Sequence, residues 1–269
     1  MLAVGLGIGA ALAGTPGTAA ADPSSPLDPN VAISFDGTSL FQSGTATADS
    51  GTAGDFDLAI ALGAGSHATA TGGIFDSAIA LGADDSATML GTGNFDSATV
   101  VGNGDDAFTG NGSLDFATIF GNGSSAEAST GNLDSASTFG TDSSTDVEDG
   151  SLDSATVVGT DSASDTSNGN LDSATVVGGL SDAEARNGDG DLASVVNTGS
   201  TEDHVFAGGT DSSFLSSNDI ASVVGTDSSA FAGGDSFAAG NFDLAAVFAD
   251  DLNATAIGAN FLVDILPSL

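Results

Sequence analysis

The chain has no cysteine, lysine, tryptophan or tyrosine, and its single cation is Arg186. Without cysteine there is no disulfide framework, no cysteine-ligated zinc and no thiol nucleophile. One arginine cannot build the phosphate-neutralising surface that nucleic-acid binding needs, so no nucleic-acid partner is expected. Only two histidines, His67 and His204, are present, so proton relays through several His or Lys side chains are closed to it. A non-enzymatic protein is the expectation. Proline is absent between Pro29 and Pro267. That absence suits a chain whose backbone N–H groups are all spent on a ladder. Beyond the first 21 residues no apolar stretch approaches the roughly 18 residues of a membrane-spanning helix.

What the chain has instead is glycine, alanine, serine, threonine and acid. Across 269 residues there are 39 Gly and 37 Asp plus Glu, for a formal charge of −36. Residues 1–21 contain the apolar run Leu2–Ile8 and end in Ala19-Ala20-Ala21, small residues that suit signal-peptide cleavage before Asp22. Residues 22–32, with Pro23, Pro26 and Pro29, read as an extended linker. A repeat domain is expected over 33–258 and a C-terminal cap over 259–269, where Phe261–Leu266 breaks the pattern. Secretion, or attachment to the cell envelope, follows from the leader.

The organising feature is a 19-residue repeat. Gly-Asn-Leu-Asp-Ser-Ala-Thr-Val-Val-Gly at 169–178 has close copies beginning at 54, 73, 93, 112, 131, 150, 188, 216 and 240. A degenerate copy at Ser34-Phe35-Asp36 would start the array. The opening Gly and the Asn, Ser or Asp after it are turn residues that tolerate left-handed dihedrals. A large apolar residue follows, then Asp, which is the same in all ten copies, and two places later Ala, also in all ten. Two β-branched or aromatic positions close the segment, as in Val100-Val101 and Ile119-Phe120. The second half of the unit is looser, alternating Ser, Thr or Asp with Ala.

Period-two alternation broken by glycine turns gives short strands, and nowhere does a 3.6-residue period run long enough for a helix. Two strands per 19 residues form one coil of a stack in which each strand pairs with its counterpart in the next. The expected fold is therefore all-β: a parallel β-solenoid of about ten to eleven 19-residue coils. A single coil cannot offset its ordering entropy, so stacking must supply the stability. The repeated Ala is expected inside a narrow core. Both strand parities carry apolar residues, Ala98 and Val100 on one and Phe95 and Val101 on the other. The expectation is a corner between Val100 and Val101 that turns both inward and leaves a monomer; without it, an apolar stripe lies exposed and favours oligomers.

Segments such as Asp76-Ser77-Ala78-Ile79-Ala80-Leu81-Gly82 and Ser66-His67-Ala68-Thr69-Ala70-Thr71-Gly72 resemble the head repeats of trimeric autotransporter adhesins. The Gly-Asn-Leu-Asp phrasing is similar to repeat tracts of exported mycobacterial proteins and, more distantly, to pentapeptide-repeat proteins. The adhesin resemblance implies a parallel β-roll, trimerisation, and host-surface or cell-envelope components as partners.

The polar motifs divide into turns and one file. Gly121-Asn122-Gly123-Ser124-Ser125-Ala126 imitates a dinucleotide fingerprint but lacks the following helix, so it reads as a turn. Asn187, Asp189 and Asp191 are spaced like the start of a calcium loop, and Asp142, Asp146, Glu148 and Asp149 cluster in another turn; neither has an EF-hand's closing Glu. His204, beside Glu202 and Asp203, falls in an insertion. The repeated aspartates, Asp57, Asp76, Asp96, Asp115, Asp134, Asp153, Asp172 and Asp191, would stack about 4.8 Å apart. Bare charges at that distance repel by roughly 0.9 kcal/mol even in water. Either each carboxylate accepts backbone N–H groups in an Asx-type turn, or the file holds cations. Calcium is the cofactor of the second case, and these eight residues are its metal candidates. A structural or adhesive role is the first functional reading, and a calcium-binding repeat module is the alternative. A third, an acidic DNA mimic, rests on a charge density approaching the one per roughly 1.7 Å of duplex DNA.

Overall fold

The computed structural model describes residues 29–197, 202–209, 218–234, 242–257 and 262–265. The expected leader and most of the expected linker lie outside them. The described chain is an all-β parallel β-solenoid, with no helix. Each coil contributes one strand to each of two sheets, of 13 and 11 strands. Consecutive coils pair in register, so that Ala98, Ala117, Ala136, Ala155 and Ala174 form one column. About eight coils keep the period of about 19 residues, fewer than ten to eleven. The later coils stretch to 28 and 24 residues between equivalent aspartates.

Strand parity decides what faces in. In Ser97–Asn103 the buried residues are Ala98 and Val100, and in Phe116–Asn122 they are Ala117 and Ile119. The second sheet supplies Ala107 and Thr109, Ala126 and Ala128, Thr145 and Val147. The interior holds mostly Ala, Val and Thr, which keeps the two sheets close. Thr138 and Thr145 meet across it, with Oγ1 atoms 2.9 Å apart. Val101, one step from Val100, points out of the same unbroken strand. The expected corner between them does not exist.

One terminal expectation changes. Ser34-Phe35-Asp36 is not a first coil: Val31–Phe35 runs antiparallel to both Thr38–Ser43 and Leu58–Leu62. Asp36 and Gly37 are both left-handed, φ 49° and 71°, which makes a tight hairpin turn and reverses the chain. The strand also begins at Val31, inside the stretch read as linker. At the other end, most of the expected cap lies outside the described residues, and Leu262–Ile265 pairs in parallel with Leu244–Val247.

Candidate functional site

The eight candidate aspartates form a single buried file along the corner that leads into the first sheet, each at most 4% exposed. The partner of each carboxylate lies in the next coil, not in its own turn. The Asp76 N–H donates to Asp57 Oδ1 at 2.9 Å, Asp134 N–H to Asp115 Oδ1 at 3.1 Å and Asp172 N–H to Asp153 Oδ1 at 2.8 Å. The Asx-type turn is thus replaced by an inter-coil ladder, which holds the coils in register as well as satisfying the acid. Asp219 and Asp243 continue it.

The other carboxylate oxygen explains the repeat's glycine. Gly131 is not left-handed, yet a Cβ there would lie 2.0 Å from Asp134 Oδ2 and 2.1 Å from the Gly150 carbonyl oxygen. Gly112 and Gly150 stand in the same relation to Asp115 and Asp153. The left-handed residue is instead the Leu or Phe before the Asp: Phe95 at φ 64°, Leu133 at 65°, Leu171 at 64°. Oδ2 of Asp57, Asp115, Asp134, Asp153, Asp172 and Asp191 is buried without a hydrogen-bond partner. Those of Asp115, Asp134, Asp153 and Asp172 face the glycine of the same corner, where any side chain would collide with them.

Burial is the largest cause of a raised pKa along the file. It pushes Asp57 and Asp153 up to about 6, Asp115 and Asp191 to about 7, and Asp172 to about 8. Backbone N–H groups oppose the shift, and the like charge of a neighbouring aspartate adds to it. Raised values bring part of the file into its protonated form toward neutrality, which lowers the stacking repulsion.

A second ladder escaped the sequence. At the corner leaving the first sheet, Asp85, Asp105, Ser124, Ser143, Ser162 and Ser181 stack in the same way. The Ser124 N–H donates to Asp105 Oδ1 at 2.7 Å, and Ser143 N–H to Ser124 Oγ at 3.3 Å. A glycine again sits three residues earlier: a Cβ on Gly102 would lie 2.0 Å from Asp105 Oδ2. The left-handed position is again the residue just before, here Asp84, Gly104, Gly123, Asp142 and Asp161. Each coil is thus two similar arcs, and the shared Gly-x-x-Asp/Ser spacing was the available signal.

The calcium-loop spacings are split by the fold. Asn187 is buried and donates Nδ2–H to the Gly209 carbonyl at 2.8 Å, Asp191 belongs to the buried file, and Asp189 accepts from Asn170 Nδ2 at 2.9 Å. Asp189 lines a shallow groove of about 290 Å³ with Asp149, Asn168 and Asn170. Asp142 takes the left-handed corner, whereas Asp146 and Glu148 point out of the second sheet. There the register assembles an acidic column, Glu127, Asp146, Asp165 and Glu184. Burial, then Glu148, Asp165 and Glu127, push Asp146 up to about 7. Arg186 pairs with Asp165 and, at 3.4 Å, with Glu184.

Among the described residues no group of three or more acidic or histidine side chains has metal-holding geometry. His67 Nδ1 lies 2.5 Å from Thr47 Oγ1, and His204 Nε2 lies 3.8 Å from Glu202; both imidazoles sit on the second sheet, far apart along the stack. Gly121–Ala126 runs from the end of strand Phe116–Asn122 through Gly123 and Ser124, with Gly123 at φ 67°, into strand Ser125–Ser129. No described helix is long and apolar enough to cross a membrane. Neither a family model, nor a curated protein, nor a solved structure matches the chain.

Proposed function

We propose that this is a secreted or envelope-associated, non-enzymatic structural and adhesive solenoid of the bacterial kind its head-like repeats resemble. The observation behind this reading is that the molecule repeats its surface chemistry coil after coil and does not concentrate it at one place. Rungs from Ser97 to Val177 offer closely similar outward residues on the first sheet, Ser or Phe, then Thr or Ser, then Val or Phe. A surface of this kind suits multivalent attachment, in which many weak equal contacts add up. The residue inventory agrees, since the two histidines are held apart and one arginine is tied to carboxylates.

The test is retention of the chain from Asp22 onward on immobilised envelope glycan and on host-matrix surfaces. Saturable retention that survives high salt is expected; none on either surface overturns the adhesive role. Recovery from a bacterial culture medium with Asp22 as first residue tests export. The calcium alternative keeps the eight file aspartates, Asp57 to Asp191, as candidates and adds the half-buried acidic column of the second sheet. Calorimetric titration with calcium reads it, and loss of the heat on Asp134→Asn or on Asp146→Asn tells which of the two binds.

A further inference from the structure

Over twelve of its strands, Val31–Phe35 to Leu244–Val247, the first sheet carries no charge in a chain whose formal charge is −36, and Asp264 lies on the remaining strand, Leu262–Ile265. None of its strands from Val31–Phe35 to Leu244–Val247 contains an ionisable residue. Its outward residues are Ser, Thr, Val, Ile, Leu and Phe, and Val158, Phe120 and Phe139 are each more than 40% exposed. The leading edge adds Phe56, Phe75 and Phe95, stacked 5.2–5.3 Å apart, then Leu114, Leu133, Leu152 and Leu171.

That edge is doubly unfavourable in a lone molecule. A bulky residue at φ near +65° is strained, and its side chain is left in water. The fold does not demand it, because the other corner has the same left-handed backbone and fills it with Asp84, Gly104, Gly123, Asp142 and Asp161. Asp and Gly tolerate that conformation; Leu180 is the exception there. Strain with exposure at one corner, and its absence at the other, points to a use outside the single chain.

We propose that the charge-free face of the first sheet is the interface between two copies of this chain, packed face to face about a two-fold axis. The dimensions suit it. Ten rungs at about 4.8 Å, crossed by strands of about five residues, present roughly 700–800 Å². A stable pair needs about 800 Å² from each partner. The charge distribution also suits it. Face-to-face packing places both acidic second sheets on the outside, as far apart as the pair allows. The residual repulsion is long-range and screened, so salt should tighten the dimer.

The experiment is sedimentation of the full chain over a range of concentrations and salt. Twice the chain mass is expected at tens of micromolar, with a larger dimer fraction in high salt. Thr118→Lys with Thr156→Lys places charge on the face at outward positions, and should weaken association by about 100-fold or more with an unchanged β spectrum. Thr88→Lys, outward on the second sheet, should leave it intact. A second pair, Leu133→Asn with Leu152→Asn, removes apolar area while relieving the left-handed strain. It should raise the melting temperature of the monomer and weaken the dimer. A monomer at all concentrations and salts, a trimer, or equal weakening by Thr88→Lys overturns the proposal. So does a Leu→Asn pair that leaves association unchanged.

Discussion

The two corners of each coil share a backbone and differ in almost everything else. Both use a glycine that cannot carry a Cβ, a left-handed residue, and a buried acceptor bonded to the next coil's N–H. One corner fills the acceptor position with Asp throughout, and the other drifts from Asp85 and Asp105 to Ser124, Ser143 and Ser162. One fills the left-handed position mostly with Leu or Phe, with Gly190 and Asn218 as exceptions, and the other mostly with Asp or Gly. What the corners share is what the solenoid requires; what differs is free to serve something else.

The largest effect should come from the shared feature. Gly131→Ala at one corner and Gly140→Ala at the other both drive a Cβ into backbone, with a carbonyl oxygen 2.1 Å away in the first case and 1.6 Å in the second. Each should cost more than about 3 kcal/mol, since the obstruction is backbone and cannot turn aside. Chemical denaturation checks this. A mild loss at one corner only would break the equivalence.

Next in size is the interior, where parity separates neighbours. Ala155→Leu overpacks a fully buried position and should cost about 1–3 kcal/mol. Thr156→Leu, outward in the same strand, should change folding stability by no more than about 0.5 kcal/mol. Melting curves of the two variants compare inside with outside directly.

Acid content distinguishes the corners through pH. Asp57, Asp115, Asp153, Asp172 and Asp191 have folded pKa values raised to about 6–8 from 3.8, and Asp76, Asp96 and Asp134 are raised as well. A raised carboxyl means that the folded state binds more protons than the unfolded one between those values. Stability is then fully present below about pH 4 and falls as pH rises through the folded values. The solenoid should be more resistant to urea at pH 5 than at pH 8. Asp172→Asn, which keeps an oxygen for the Asp191 N–H, should flatten that slope. Ser162→Asp at the other corner should steepen it. Greater stability at pH 8 would show that the file is ionised and compensated in another way.

The smallest effect concerns the left-handed position. Leu133→Asn should stabilise the single chain by about 1 kcal/mol by relieving strain, and Asp142→Leu should cost about as much. Equal and null results would mean that the backbone at both corners adjusts to either residue.

The solenoid was legible because a period of about 19, an alternating strand and an unvarying Ala left few other ways to bury the apolar residues. The buried aspartate file was legible as a file, since stacking follows from the period alone. Its bonding was not: an Asx-type turn and an inter-coil ladder use the same residues, and only the coil-to-coil register separates them. The second ladder hid because Ser and Asp near Gly look like ordinary turn chemistry. Val100 and Val101 could not be sorted into inside and outside while both parities were apolar. Asp36-Gly37 was in plain view, yet the neighbouring Ser34-Phe35 looked like a worn repeat and masked the hairpin. The column Glu127, Asp146, Asp165 and Glu184 exists only once strands are aligned.

The ladder is indifferent to how much chain separates its rungs. Between Asp172 and Asp191 the separation is 19 residues and the bond is 2.9 Å; between Asp191 and Asp219 it is 28 residues and the bond is 3.0 Å. Closing the longer loop costs only about 0.3 kcal/mol more by chain entropy. Corners, and not sequence length, therefore meter this molecule. Foreign peptide could be spliced between one rung and the next as a cassette, and neighbouring rungs would still find each other. A gene built this way can grow, shrink or recombine by whole turns without relearning how to fold.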